Sequence, residues 1–211
     1  MRVGIYGGSF DPPHCGHAAL ARLALECFGL DRLLVVPAAY PVHRALSGCA
    51  DGATRVSWLV RLFAAEDRIT VVDWELAESR PTIQTLRQFA DRFPGEVPLL
   101  LLGADAVAGV VDWVDYPQHQ ALCNLGLFSR AGSKPVTPQG WLGTEVSGWQ
   151  QSPNASAGRV MVVEAAIPPV SATLVREAAR RGQSLADLVP SCIVRDIEHY
   201  YGNYSDCFWF S

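Results

Sequence analysis

Residues 3–37 read VGIYGGSFDPPHCGHAALARLALECFGLDRLLVVP, and three consecutive patterns in that stretch decide the fold. Val3 to Tyr6 is a short run apolar on both faces, as in a strand buried within a parallel sheet. After a turn rich in glycine and proline, Leu20, Leu23, Ala24, Cys27 and Phe28 recur at i, i+3, i+4, i+7 and i+8 along one helical face. Gly29 ends that helix, and Leu33 to Val36 forms a second apolar strand before Pro37. The result is a β-α-β unit, and the turn after its first strand is where a ligand of such a sheet binds.

Working outward, Val56, Leu59, Val60 and Phe63 predict a second helix and Ile69 to Val72 a strand. Thr82 is the expected cap of a helix carrying Ile83, Leu86 and Ala90. Val97–Leu102, Leu125–Phe128 and Val160–Val163 are further strands apolar on both faces. Strands alternating with helices predict an α/β, doubly wound (Rossmann-like) parallel sheet with helices on both faces and a small C-terminal helical portion. Residues 1–201 are expected to form a single domain. Within it, residues 131–158, which include Trp141 and Trp149, read either as a packed insertion or as a loop. Residues 202–211 form an aromatic tail.

The 17 basic residues are 16 arginines and the single Lys134. Lys134 stands in a Gly-Ser-Lys-Pro context, which leaves lysine Schiff-base chemistry almost no location and provides no phosphate-binding loop of the Gly-Lys-Ser/Thr type. Against 21 carboxylates the net charge is −4, so no basic stripe is expected to wrap nucleic acid. Most arginines read as a solvated surface. Asp11, Pro12, Pro13 and His14 interrupt any N-terminal secretory run, and the most apolar stretch, Val97–Val111, falls short of the about 20 residues that span a bilayer. A cytoplasmic location without a membrane partner is the expectation. Cysteines 15, 27, 49, 123, 192 and 207 include no C-x-x-C pair and are expected to be mostly buried, reduced thiols.

Two clusters carry chemistry. In the first, Gly7 and Gly8 let backbone approach an anion, Ser9 adds a hydroxyl donor, and Phe10 belongs to the same turn. His14 and His17, three apart at a helix start, can both face a phosphate whose charge grows during transfer. Alternatively, the prolines make a rigid turn and the histidines satisfy local carbonyl groups. A paired metal site has no convincing further ligands. In the second cluster, Ser171 is a candidate N-cap, Thr173 lies in the first turn, and Arg176 can reach toward the same anion. Taken alone, this would be an ordinary capped helix. Cys15 is either an activated thiol at a helix N-terminus or an inert small side chain.

The first cluster resembles the G-G-[ST]-F-D-P-P-H-x-G-H signature of bacterial nicotinate-nucleotide adenylyltransferases, within the wider H-x-G-H nucleotidyltransferase superfamily. The second is similar to that family's I-S-[SA]-T-x-I-R motif. Val36-Pro37 through His43-Arg44 resembles V-P-x-x-x-P-P-H-[KR], Thr82 to Leu86 resembles T-x-x-T-L, and Gly103-Ala-Asp105 resembles G-x-D. Trp113 precedes Tyr116 much as in the family, and Arg55 heads a helix as in its R-x-x-M-L pattern. The chain departs from the family at Val42, Pro81 and Arg44, which stand for proline, tyrosine and often lysine.

The resemblance implies transfer of AMP from ATP to nicotinate mononucleotide, with Mg²⁺ carried mainly by the ATP phosphates and no metal site made of protein ligands. It implies that His14, His17 and Arg176 are catalytic. Gly7, Gly8, Ser9, Phe10, Gly103, Asp105, Ser171 and Thr173 would bind ATP or its phosphates, and Arg44, Thr85 and Trp113 the mononucleotide. Sibling transferases using nicotinamide mononucleotide or phosphopantetheine, and a catalytically silent nucleotide-sensing module, stand as alternatives. The oligomeric state is left open.

Overall fold

The computed structural model describes residues 1–39, 49–103, 107, 109–129, 137–150 and 156–202. Its strands are β1 (Val3–Gly8), β2 (Arg32–Pro37), β3 (Ile69–Val71), β4 (Leu99–Gly103), β5 (Asn124–Ser129), β6 (Leu142–Gly143) and β7 (Arg159–Glu164). The helices are α1 (Cys15–Cys27), α2 (Gly52–Leu62), α3 (Thr82–Arg92), α4 (Val146–Gln150), α5 (Ala172–Arg180) and α6 (Val194–Gly202). The strands form one sheet in the order β3-β2-β1-β4-β5-β7-β6, and every pairing is parallel. This is the expected α/β, doubly wound architecture.

Alternation along β1, β2, β4, β5 and β7 feeds two cores. Tyr6, Leu33, Val35, Leu99, Leu101 and Phe128 enter one cluster with residues of α1, α2, α5 and α6. Ile5, Leu34, Val36, Leu100 and Leu127 enter the other with Leu86 and Phe89 of α3. Because both sheet faces are covered, the strands have no polar side to alternate, which is why they read as continuous apolar runs. Each large aliphatic side chain buried this way contributes about 1.5–3 kcal/mol.

Three local expectations are corrected. Pro81, with φ −68° and ψ 148°, occupies the N-cap of α3, so Thr82 becomes the first helical residue and no side chain caps the helix. Among the described cysteines only Cys123 is buried; Cys15, Cys27 and Cys49 are partly exposed and Cys192 is exposed, because they lie at helix ends and loops. Most described arginines are exposed as expected, and Arg55, at 2% exposure, is the correction to a purely solvated set. Between β5 and β7, the described residues 137–150 form β6 and α4, and Trp141 and Trp149 are buried, so this part is packed. It lies at the sheet edge: Leu142 pairs with Arg159 of β7.

Candidate active site

Strand order reverses between β1 and β4: the chain runs outward from β1 through β2 to β3, then returns to β4 on the other side. The carboxyl ends of β1 and β4 therefore open a crevice at the switch point, the location where open α/β sheets bind ligands. Gly7 and Gly8 are still in register with Val36 and Pro37, so the strand runs two residues further than Tyr6. Gly103 ends β4 and is exposed, with space around the position a Cβ would take.

The turn from β1 to α1 is built from the inside. Phe10 adopts φ +48° and buries its ring against Tyr6 and His17, with ring centroids 5.2 Å and 4.9 Å away. A Cβ on Gly8 would meet that ring at 3.1 Å, so the glycine makes room for it. Phe10 was expected among the ATP-binding residues; its side chain supports the histidines, which leaves the backbone as the part that can face a ligand.

His14 is the N-cap of α1 and its ring stacks on His17, centroids 3.7 Å apart. The backbone N–H of His14 donates to His17 Nδ1 at 3.2 Å. That bond sets the neutral tautomer of His17, with the proton on Nε2 available to a phosphate oxygen. Burial lowers the His14 pKa to about 4, and burial together with the neighbouring His14 holds His17 well below its usual value. Both rings are neutral donors near pH 7. Gly16 lies between them at a point of close approach: a Cβ there would meet the His14 ring at 3.1 Å and the Pro168 carbonyl oxygen at 3.2 Å. The glycine lets α1 come up against the segment that leads into the second cluster.

In that cluster Ser171 caps α5, its Oγ accepting from the Leu174 N–H at 3.2 Å. Arg176 donates through Nη2 to Thr173 Oγ1 at 3.2 Å and through Nη1 to the Asp11 carbonyl oxygen. Residues 165 apart in the chain thus meet directly, and the two clusters lie side by side. In the bonds from Leu174 and Arg176 the Ser171 and Thr173 hydroxyls act as acceptors.

Arg55 went unrecognised as a site residue. Its Nη1 donates to the Ser9 carbonyl at 2.6 Å, Nη2 to Ala39 at 2.9 Å and Nε to Ala50 at 3.0 Å. It thereby ties the turn after β1, the segment after β2 and the start of α2 to one rigid guanidinium fork. Asp11 was also missed. Its Oδ1 accepts from the Ala50 N–H at 2.9 Å and the Tyr201 O–H at 2.6 Å. Burial, with a hydrogen bond to Asp11, pushes the Cys49 thiol up to about 11. The long sequence separations of these contacts leave no local pattern to read.

Of the residues expected to bind the mononucleotide, Thr85 is buried and its hydroxyl donates to Glu75, whose pKa burial raises. Trp113 is half-buried with its ring 5.4 Å from that of His119, so one part of the indole is open to a ligand. Arg44 and Asp105 lie outside the described residues. The Cys15 thiol is raised by burial and by Asp187, against thiolate formation despite its helix-terminal position.

The turn after β1, the neutral histidines, the start of α5 and Arg176 lie together at the switch point, and the class of protein to which this chain belongs is the nucleotidyltransferases. The cytidylyltransferase-like family model matches residues 5–178. A Chlorobaculum tepidum protein named "Probable nicotinate-nucleotide adenylyltransferase" is 32% identical over 95% of this chain and 97% of its own. A Thermotoga maritima protein of the same name is 30% identical over 95% and 93%. The chain belongs to the cytidylyltransferase-like family, among the nicotinate-nucleotide adenylyltransferases. The fold is also that of Plasmodium falciparum nicotinic acid mononucleotide adenylyltransferase, solved in complex with NaAD, at TM-score 0.71 and 14% identity over 97% of this chain and 96% of that one.

Proposed function

We propose that the protein joins ATP and nicotinate mononucleotide to give nicotinate adenine dinucleotide and pyrophosphate. The observation that supports this reading is the direct contact between Arg176 of α5 and Asp11 in the turn before α1, which brings together the two segments assigned here to phosphate. Kinship with the adenylyltransferases supplies the acceptor.

No enzyme nucleophile takes part. A phosphate oxygen of the mononucleotide attacks the α-phosphorus of ATP in line, a new P–O bond forms, and the bond to the β-phosphate bridging oxygen breaks. Pyrophosphate leaves with that electron pair. His17 Nε2–H, His14 and Arg176 donate to the oxygens on which charge grows; the Ser171 and Thr173 hydroxyls and the turn at Gly7, Gly8 and Ser9 hold the triphosphate. Gly103 and Asp105 are assigned to the adenosine, Arg44 to the mononucleotide phosphate, and Thr85 with Trp113 to the pyridine ring. Among the described residues no group of three or more His, Cys, Asp or Glu side chains converges. The side chains gathered here are mainly histidine, arginine and hydroxyl groups, so Mg²⁺ would be brought by the triphosphate, whose charge it would offset. Among the described residues no helix is long and apolar enough to cross a membrane; we assign the enzyme to the cytoplasm.

The test is pyrophosphate release from ATP and Mg²⁺ with nicotinate mononucleotide, nicotinamide mononucleotide or phosphopantetheine offered separately. Release with nicotinate mononucleotide at the highest kcat/KM supports the reading. Higher kcat/KM with another acceptor, or no release with any, overturns it.

A further inference from the structure

Asp11 connects three parts of the chain that the reaction requires to stay in register. Its Oδ1 accepts two hydrogen bonds, from the Ala50 N–H at 2.9 Å and from the Tyr201 O–H at 2.6 Å. Its Oδ2 lies 3.9 Å from Arg176 Nη1, and its carbonyl oxygen accepts from the same nitrogen. Tyr201, on the last helix, is fully buried, its ring beside Trp58 at 6.1 Å and Tyr200 at 5.0 Å. A buried phenol that makes a bond to a buried carboxylate fixes the carboxyl plane. With Oδ1 held by two donors, Oδ2 remains directed at the arginine.

We propose that Tyr201 and Asp11 form a positioning pair that sets the guanidinium of Arg176 against the transferring phosphates. The proposal rests on the assignment of Arg176 to phosphate given above. Neither member touches substrate: Asp11 acts through Arg176, and Tyr201 acts through Asp11. Two of the Arg176 N–H groups are used on the turn and on Thr173, and the rest of its planar fork is what a phosphate engages. Without the phenolic donor, the carboxylate keeps the Ala50 amide and the Cys49 thiol but loses its shortest hydrogen bond, and its plane is less firmly held against the guanidinium.

The test uses the 211-residue chain with Tyr201→Phe, which keeps the ring and removes only the hydroxyl. Two quantities are read: the Kd of inorganic pyrophosphate by calorimetry, and kcat with KM for ATP, Mg²⁺ and nicotinate mononucleotide. We expect pyrophosphate to bind about tenfold more weakly and kcat to fall about tenfold, the scale for losing one hydrogen bond to a charged group. KM for the mononucleotide should stay within about threefold. In an Arg176→Ala background the same substitution should change neither quantity, because the two act as one unit. Unchanged pyrophosphate affinity in folded Tyr201→Phe protein, or an equal loss in the Arg176→Ala background, overturns the pair. Should Tyr201→Phe fail to fold, Asp11→Asn is read the same way, since its amide oxygen still accepts from Tyr201 and Ala50 while the charge facing Arg176 is gone. If the wild-type chain turns over no mononucleotide, the functional reading fails, and pyrophosphate affinity alone still decides the positioning pair.

Discussion

His17 has one ring nitrogen committed to the His14 amide, and the other follows as the donor. Replacing His17 by alanine removes one preorganised donor, and kcat should fall about 10²–10³-fold with the circular dichroism spectrum and KM for ATP little changed. Steady-state kinetics on the variant check this; normal turnover would remove His17 from the mechanism. His14 gives a second prediction, on stability against pH. Burial lowers its pKa to about 4, while the unfolded ring titrates near 6.5. Between those values the unfolded chain binds more protons, so the stability that the neutral ring contributes is complete above about pH 6.5 and is lost as pH falls toward 4. The loss is on the order of 3 kcal/mol. Urea midpoints at pH 7.5 and 5 should differ in that direction, and His14→Asn should reduce the difference, the rest coming from His17 and His119, which burial also lowers. At this scale the motif residues His14, His17, Ser171 and Arg176 were legible, because turn glycines, helix starts and short spacings announce them. Tyr201 and Asp11, 190 residues apart, were not, since nothing local to either marks a contact made only by folding.

Elements place these residues, and α2 shows how. Asp51 caps it by accepting from the Thr54 N–H at 2.8 Å, and the helix then carries Arg55 inward to three backbone carbonyls. Arg55→Ala would leave those carbonyls without their donor and should cost about 3 kcal/mol or more in urea unfolding, while disordering the turn that holds Ser9. A variant as stable as wild type would show that the clamp is dispensable. The cap of α5 is a milder case: Ser171→Ala should cost about 1 kcal/mol. It should also reduce kcat, because the same hydroxyl is assigned to phosphate. The strands were readable because burial on both faces writes continuous apolar runs. The start of α3 was not, because a proline at the cap and a threonine one residue later carry competing signals. β6, two residues long, has no period to detect.

The whole molecule brings distant segments to one crevice through its strand order. β1 and β4 are adjacent although residues 9–98 separate them, and α5 reaches the turn after β1 from the far end of the chain. That class of architecture was legible from the alternation of strands and helices. The 16 arginines and single lysine also acquire a structural meaning at this scale. A planar fork can hold several acceptors at once, as Arg55 does with three carbonyls and Arg176 with a carbonyl and a hydroxyl, whereas an ammonium is a point charge. A protein of net charge −4 can thus bind anionic substrates through local geometry. The proposed function of the whole molecule is transfer of an adenylyl group to a mononucleotide phosphate in this crevice. The most direct measurement is the fate of label from ATP carrying ³²P at the α-phosphate, incubated with Mg²⁺ and nicotinate mononucleotide. Label should appear in nicotinate adenine dinucleotide in step with unlabelled pyrophosphate, at a rate strongly reduced in His17→Ala and Arg176→Ala. Label that stays in ATP, or appears as free AMP, would contradict the account.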